Sequence, residues 1–172
     1  MISISKTPRL SNVLSRLLVA FALISLTVAI PAPAQSLTTP FVKKQLYSET
    51  ANPTADIAAA LKKARAEHKR VLLDFGGDWC GDCQVLDIYF HQSPNADLLA
   101  KHFVVVHIYI GHMDRNLDVP KKYGVPINKG VPALAVLDAR GKLLYSQQTG
   151  QFENMRNMSS SAVTDFLNQW KG

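Results

Sequence analysis

Cysteine is scarce in this chain: 172 residues contain two, Cys80 and Cys83, three positions apart. A loop that short adds little loop-closure stabilisation, so a structural staple is excluded as its purpose. A chain of this length can in any case bury a core without staples. Acidic residues are missing from the first 48 positions, and all 13 lie beyond them. Internal repeats and low-complexity tracts are also absent. Aromatic residues make up 8%, charged residues 19% and hydrophobic residues 47%. This composition excludes a disordered chain and a multi-span membrane protein. The formal charge of +6 falls to +3 once residues 1–34 are set aside, a surplus too small to suggest nucleic acid or an acidic surface as partner.

The amino-terminal stretch has its own logic. Lys6, Arg9 and Arg16 precede an apolar run from Leu17 to Ile30. As a helix that run covers about 21 Å, short of the roughly 30 Å hydrocarbon core of a bilayer. Pro31 stops it, and Ala32-Pro33-Ala34 sets small residues before Gln35 in the pattern of a cleavage site. This predicts a signal peptide over residues 1–34, cleavage near Ala34, export to a bacterial periplasm, and no membrane span after cleavage. An uncleaved anchor is the alternative.

Residues 35–51 are polar and aperiodic, which predicts an arm or linker ahead of one domain over 52–172. Asn52-Pro53 is a helix start. Ile57, Ala60, Leu61 and Ala64 then follow at the spacing of a one-sided apolar stripe. Val71 to Phe75 reads as a strand buried on both faces and broken by Gly76-Gly77. A helix from the cysteines to about Phe90 follows, then a break at Ser93-Pro94-Asn95 and a short helix over 95–102. Phe103–Ile110 is a second buried-strand candidate, in which His107 reads as a hydrogen-bonded core histidine. A long loop from Gly111 to Gly130 carries one helical turn near Val119. Strand Ala133–Asp138 and the segment Lys142–Ser146 form a hairpin, and Val163, Phe166, Leu167 and Trp170 mark a last amphipathic helix. The order predicts an α/β fold with a central mixed sheet of four to five strands flanked by helices.

The strongest chemical signal is Trp79-Cys80-Gly81-Asp82-Cys83. Disulfide exchange requires a first thiol that is accessible and ionised, and a second within reach of it. A strand that turns into a helix supplies both, because free N–H groups and the helix dipole favour negative charge at the first cysteine. Cys80 is then the nucleophile and Cys83 the resolving thiol. A zinc half-site is disfavoured, since there is no second cysteine pair and His68, His91, His102, His107 and His112 are scattered.

Together these residues resemble the thioredoxin superfamily over roughly 54–171. Asp74-Phe75, the Trp-Cys-x-x-Cys motif, Lys122-Tyr123-Gly124-Val125 and Val131-Pro132 follow in the family's order. The stretch from Ala58 to Cys83 looks most like exported bacterial thioredoxin-like proteins, and is similar to the carboxy-terminal periplasmic domain of thiol:disulfide interchange reductases. The resemblance implies roles by position. Asp74 matches a buried acid that takes the proton from Cys83 as general base; from the residues alone it could equally be a partly solvated strand-end Asp. Pro132 matches a cis-proline that turns the Val131 backbone toward an incoming substrate strand, although by periodicity it is only a strand edge. Trp79 would shield the disulfide and contact substrate, or else serve as a core aromatic.

The motif departs from the best-known thioredoxins between and before the cysteines. Gly81-Asp82 is the tuning dipeptide, with Asp82 where those proteins have Pro, and Asp78 precedes Trp79. Carboxylates near Cys80 oppose the thiolate and favour a reductase over an oxidase. The resulting expectation is a thiol:disulfide oxidoreductase that needs no organic cofactor or metal and acts on client proteins with disulfides, supplied by an upstream thiol donor. Two other readings remain. One is a copper-handling module using His112 and Met113. The other is a non-catalytic binding protein with a permanently closed disulfide. His112, Met113 and Arg115 could also shape substrate choice.

Overall fold

The structure is a computed structural model that describes residues 42–172. The expected signal peptide and cleavage site lie outside the described residues. No helix among the described residues is long and apolar enough to cross a membrane.

Helix α1 (Pro53–Glu67) begins where Asn52 accepts a hydrogen bond from the Ala55 amide and Pro53 occupies the first turn. It ends at His68, which adopts a left-handed conformation (φ 54°). Strand β1 (Arg70–Gly76) follows, then α2 (Gly81–Phe90), α3 (Asn95–His102), β2 (Phe103–Tyr109) and α4 (Asp118–Lys122). The chain closes with β3 (Ala133–Leu137), β4 (Leu143–Ser146) and α5 (Ser160–Trp170), the last preceded by a 3₁₀ turn at Met155–Asn157.

The four strands lie in the order β2-β1-β3-β4. β1 runs parallel to β2 and antiparallel to β3, and β4 is antiparallel to β3. The fold is therefore the expected α/β class with a mixed sheet. Period-2 alternation sorts the central strands onto two cores. Val71, Leu73 and Phe75 join Ala133, Ala135 and Leu137 beneath Ile57, Ala60 and Ala64 of α1. Leu72, Leu134 and Val136 meet Leu86 and Phe90 of α2, Leu99 of α3, and Val163, Phe166 and Leu167 of α5. Asn95, expected where the break passes into the short helix, is fully buried. Its amide group donates to Tyr89 and Ser160 while its carbonyl accepts from Thr164, so one side chain joins α2, α3 and α5.

Two expectations change. β2 is not buried on both faces: it is an edge strand paired with β1 alone, and Val104, Val105, His107 and Tyr109 are only half-buried. Its apolar composition could not report how many neighbours it has. The described part of the stretch read as an arm, residues 42–51, lies against the domain and drives Tyr47 into the core at 2% exposure. A single aromatic residue in a polar segment carries no periodic signal.

Candidate active site

β1 delivers the site. Gly76-Gly77 ends the strand, and the chain turns through Asp78 and Trp79 into α2, whose N-cap is Cys80. Cys80 and Cys83 form a disulfide across 5.3 Å between Cα atoms. The Cys83 amide donates to Cys80 Sγ at 3.1 Å, so a free N–H of the helix terminus is aimed at the sulfur expected to carry charge when the bond opens. Cys83 is 1% exposed and Cys80 5%. Cys80 is thus less open than a nucleophile was expected to be, because the segment before β3 lies over it, with the Val131 carbonyl oxygen 3.5 Å from its sulfur. The Val131–Pro132 peptide bond is cis. Next to Cys80, Gly81 is exposed, and a Cβ built on it would meet no atom within 4 Å.

Asp74 is 2% exposed, on the face of β1 shared with Leu72 and Gly76, beneath α2. It is buried rather than solvated at a strand end. Its Oδ2 accepts from the Tyr47 hydroxyl at 2.8 Å and lies 2.8 Å from His107 Nδ1, while its Oδ1 has no hydrogen-bond partner among the described residues. His107 is the register partner of Asp74 across the parallel β1–β2 pair, which is why the two side chains meet. Burial opposes protonation of His107, but the hydrogen bond and charge of Asp74, with Asp87 and Asp78 behind, outweigh it and raise the imidazole pKa. Burial, reinforced by Asp74, pushes the Tyr47 phenol well above its ordinary range, so it remains a donor. Gly76 lets this cluster approach the cysteines. A Cβ there would sit 2.7 Å from the Tyr47 hydroxyl and 2.8 Å from Cys83 Sγ.

The two carboxylates flanking Cys80 are not free, contrary to the sequence-based argument for thiolate opposition. Asp78 Oδ1 accepts from the Leu46 and Tyr47 amides at 2.8 and 3.1 Å. Asp82 accepts from the Arg156 amide at 3.0 Å and forms an ion pair with its guanidinium at 3.0 Å. Each charge is offset by donors from distant parts of the chain, which local sequence does not reveal. Arg156 and Tyr47 are therefore site residues that sequence reasoning missed. His107 was noticed, but only as a core residue. Trp79 is 38% exposed, donates to the Gly111 carbonyl at 2.7 Å and stacks on His112 with ring centroids 4.9 Å apart. It is a surface aromatic beside the disulfide and not a core one. His112, one of two residues a copper-handling role would need, is held in that stack, and Met113 lies out on the loop at 36% exposure. Among the described residues no three His, Cys, Asp or Glu side chains converge as a metal site.

A thioredoxin-like family model matches residues 52–139, half the chain, and spans β1, the cysteine pair, β2 and β3. The chain belongs to the thioredoxin-like family. Within the family it is similar to a disulphide isomerase from Xylella fastidiosa, with 38% identity, a TM-score of 0.70, and coverage of 74% of this chain and 98% of that one. It is also similar to the thiol:disulfide interchange protein DsbD of Vibrio cholerae, 27% identical over 112 residues. That match takes in 64% of this chain but only 18% of DsbD. The fold is thioredoxin-like, and it carries a Cys-x-x-Cys disulfide within the matched residues.

Proposed function

We propose that this chain is an exported, periplasmic thiol:disulfide oxidoreductase that reduces or exchanges disulfides in client proteins. The observation that carries the reading is the Cys80–Cys83 disulfide at the α2 terminus, with the Val131 backbone 3.5 Å from the outer sulfur. In the reduced protein the Cys80 thiolate, held by the Cys83 amide, attacks one sulfur of a client disulfide. The client's other sulfur leaves as a thiolate, and Cys80 is joined to the client. Cys83 loses its proton and attacks Cys80 Sγ, which releases the second client sulfur and closes the Cys80–Cys83 bond. Two electrons pass from the pair to the client, and an upstream dithiol donor restores them. No organic cofactor enters this balance. The Val131 N–H and C=O, next to Pro132, would hold the client strand by β-augmentation, with Trp79 covering its outer side.

The test is Cys83→Ser, which removes the resolving thiol. It should accumulate covalent adducts with disulfide-bearing proteins in an extracytoplasmic extract, while the wild type accumulates none and reduces insulin. Absence of adducts from a folded variant refutes the mechanism. A reduction potential near about −270 mV would make the chain a reductase, and one near about −120 mV an oxidant.

A further inference from the structure

We propose that Tyr47, Asp74 and His107 form a proton relay that connects Cys83 to solvent, with Tyr47 as the member beside the sulfur and His107 as the exit. The proposal deepens the oxidoreductase reading and rests on it for the existence of the resolving step. The resolving thiol is buried, so its proton needs a route. Water does not offer one directly, since Cys83 is 1% and Asp74 2% exposed. A point above Gly76 lies within 2.8 Å of both the Tyr47 hydroxyl and Cys83 Sγ, so the phenol oxygen is no more than about 5.5 Å from the sulfur, a gap that one water molecule spans. The phenol and His107 converge on one carboxylate oxygen at 2.8 Å each. The His107 side chain is 29% exposed, against 2% for Asp74, and it opens on a groove lined by Leu46, Ser48, Ala60 and Val105.

The step balances. As Cys83 attacks Cys80, its S–H bond breaks and the proton passes to Tyr47 Oη. The proton already on Tyr47 passes to Asp74 Oδ2. His107, until then an imidazolium donating its Nδ1–H to that carboxylate, loses the charge that held its extra proton once Asp74 is neutralised and releases its Nε2 proton to water. When the upstream donor reopens the disulfide, Cys83 leaves as a thiolate, the Asp74 proton returns to it through Tyr47, and His107 takes a proton from water at Nε2 and restores the imidazolium. Charged and titratable groups around His107 are Asp74 on β1, Tyr47 and Asp78 from the two segments beside it, Asp87 on α2, and Asp56 and Lys63 of α1 on the groove wall. Lys44 pairs with Asp87, and with Lys63 it is still outnumbered by the acids, a setting that favours the imidazolium from which the relay starts.

The experiment is stopped-flow reaction of the reduced chain with 5,5′-dithiobis(2-nitrobenzoate). The first chromophore released reports attack by Cys80, and the second reports resolution by Cys83, so no natural client is required. Tyr47→Phe should leave the first phase unchanged and slow the second by at least about tenfold, below the usual 10²–10⁴ contribution of general acid–base catalysis. His107→Gln keeps a hydrogen bond to Asp74 but cannot release a proton; it should slow the second phase and remove the inflection that His107 titration gives it. Second phases within twofold of wild type in both variants overturn the relay, as does equal slowing of both phases. If Tyr47→Phe does not fold, the wild type decides: its second-phase inflection must coincide with the His107 titration followed by NMR, and a mismatch overturns the proposal. Failure of the oxidoreductase reading would look different, with both phases normal and no protein disulfide reduced.

Discussion

At the scale of single residues, the site is governed by what surrounds one buried carboxylate. Asp74 could not remain in the interior without donors, and the two it has come from an edge strand and from the segment before α1. Its pairing with His107 has a consequence for stability. The folded-state pKa of His107 is raised, so the protonated imidazole favours the folded chain. That contribution is complete below the unfolded value of about 6.5 and is lost as pH rises through the higher folded value. Chemical unfolding of the oxidised protein across this interval should show stability falling toward alkaline pH, and His107→Gln should remove that portion of the slope. Identical pH profiles for the two proteins would contradict the ion pair.

At the scale of elements, the segment before α1 behaves as part of the site. Lys44 pairs with Asp87 at 2.8 Å, its main chain exchanges two hydrogen bonds with the Gln84 side chain, and Asp78 holds the Leu46 and Tyr47 amides. Five polar contacts thus set Tyr47 under the cysteines. Asp78→Ala removes the charged acceptor of two of them. Hydrogen bonds to charged groups are worth about 1.5–3 kcal/mol, so the urea midpoint should fall by a corresponding amount with little change in slope. Limited proteolysis within residues 42–51 should then be faster than in the wild type. The fold itself was legible at this scale. The cap at Asn52, the apolar stripe of α1 and the cysteines at the start of α2 are local signals, and the structure shows elements at all three. The edge position of β2 was not legible, because an apolar strand looks the same with one neighbour as with two.

For the molecule as a whole, the carboxy-terminal region reaches back to the active-site helix through Arg156. The ion pair with Asp82 joins residues 74 positions apart and offsets a carboxylate two positions from Cys80. Arg156→Ala leaves that charge uncompensated, destabilises the Cys80 thiolate and makes the pair more reducing. The Arg156 side chain is 68% exposed, so screening limits the interaction to about 1 kcal/mol or less. This corresponds to a shift of no more than ~20 mV toward negative potential, and the shift should shrink at high salt. Equilibration against a glutathione series measures it, and a positive shift would refute the assignment.

Sequence alone determined the class of fold and the place of the Cys-x-x-Cys pair at a helix start, because both are written in short-range patterns. Periods of two and of 3.6 mark strands and helices, and a Cys-x-x-Cys at a strand-to-helix turn needs only neighbouring residues to be recognised. Tertiary structure decided which polar groups meet there. Parallel register brings His107 to Asp74 across 33 positions, and the path of the chain brings Tyr47 to the same oxygen from the opposite side in sequence. Hydrogen bonds and charges act over a few ångströms of space regardless of separation along the chain, so the partners of Asp74, Asp78 and Asp82 emerged only when the strands were in register and the helices packed.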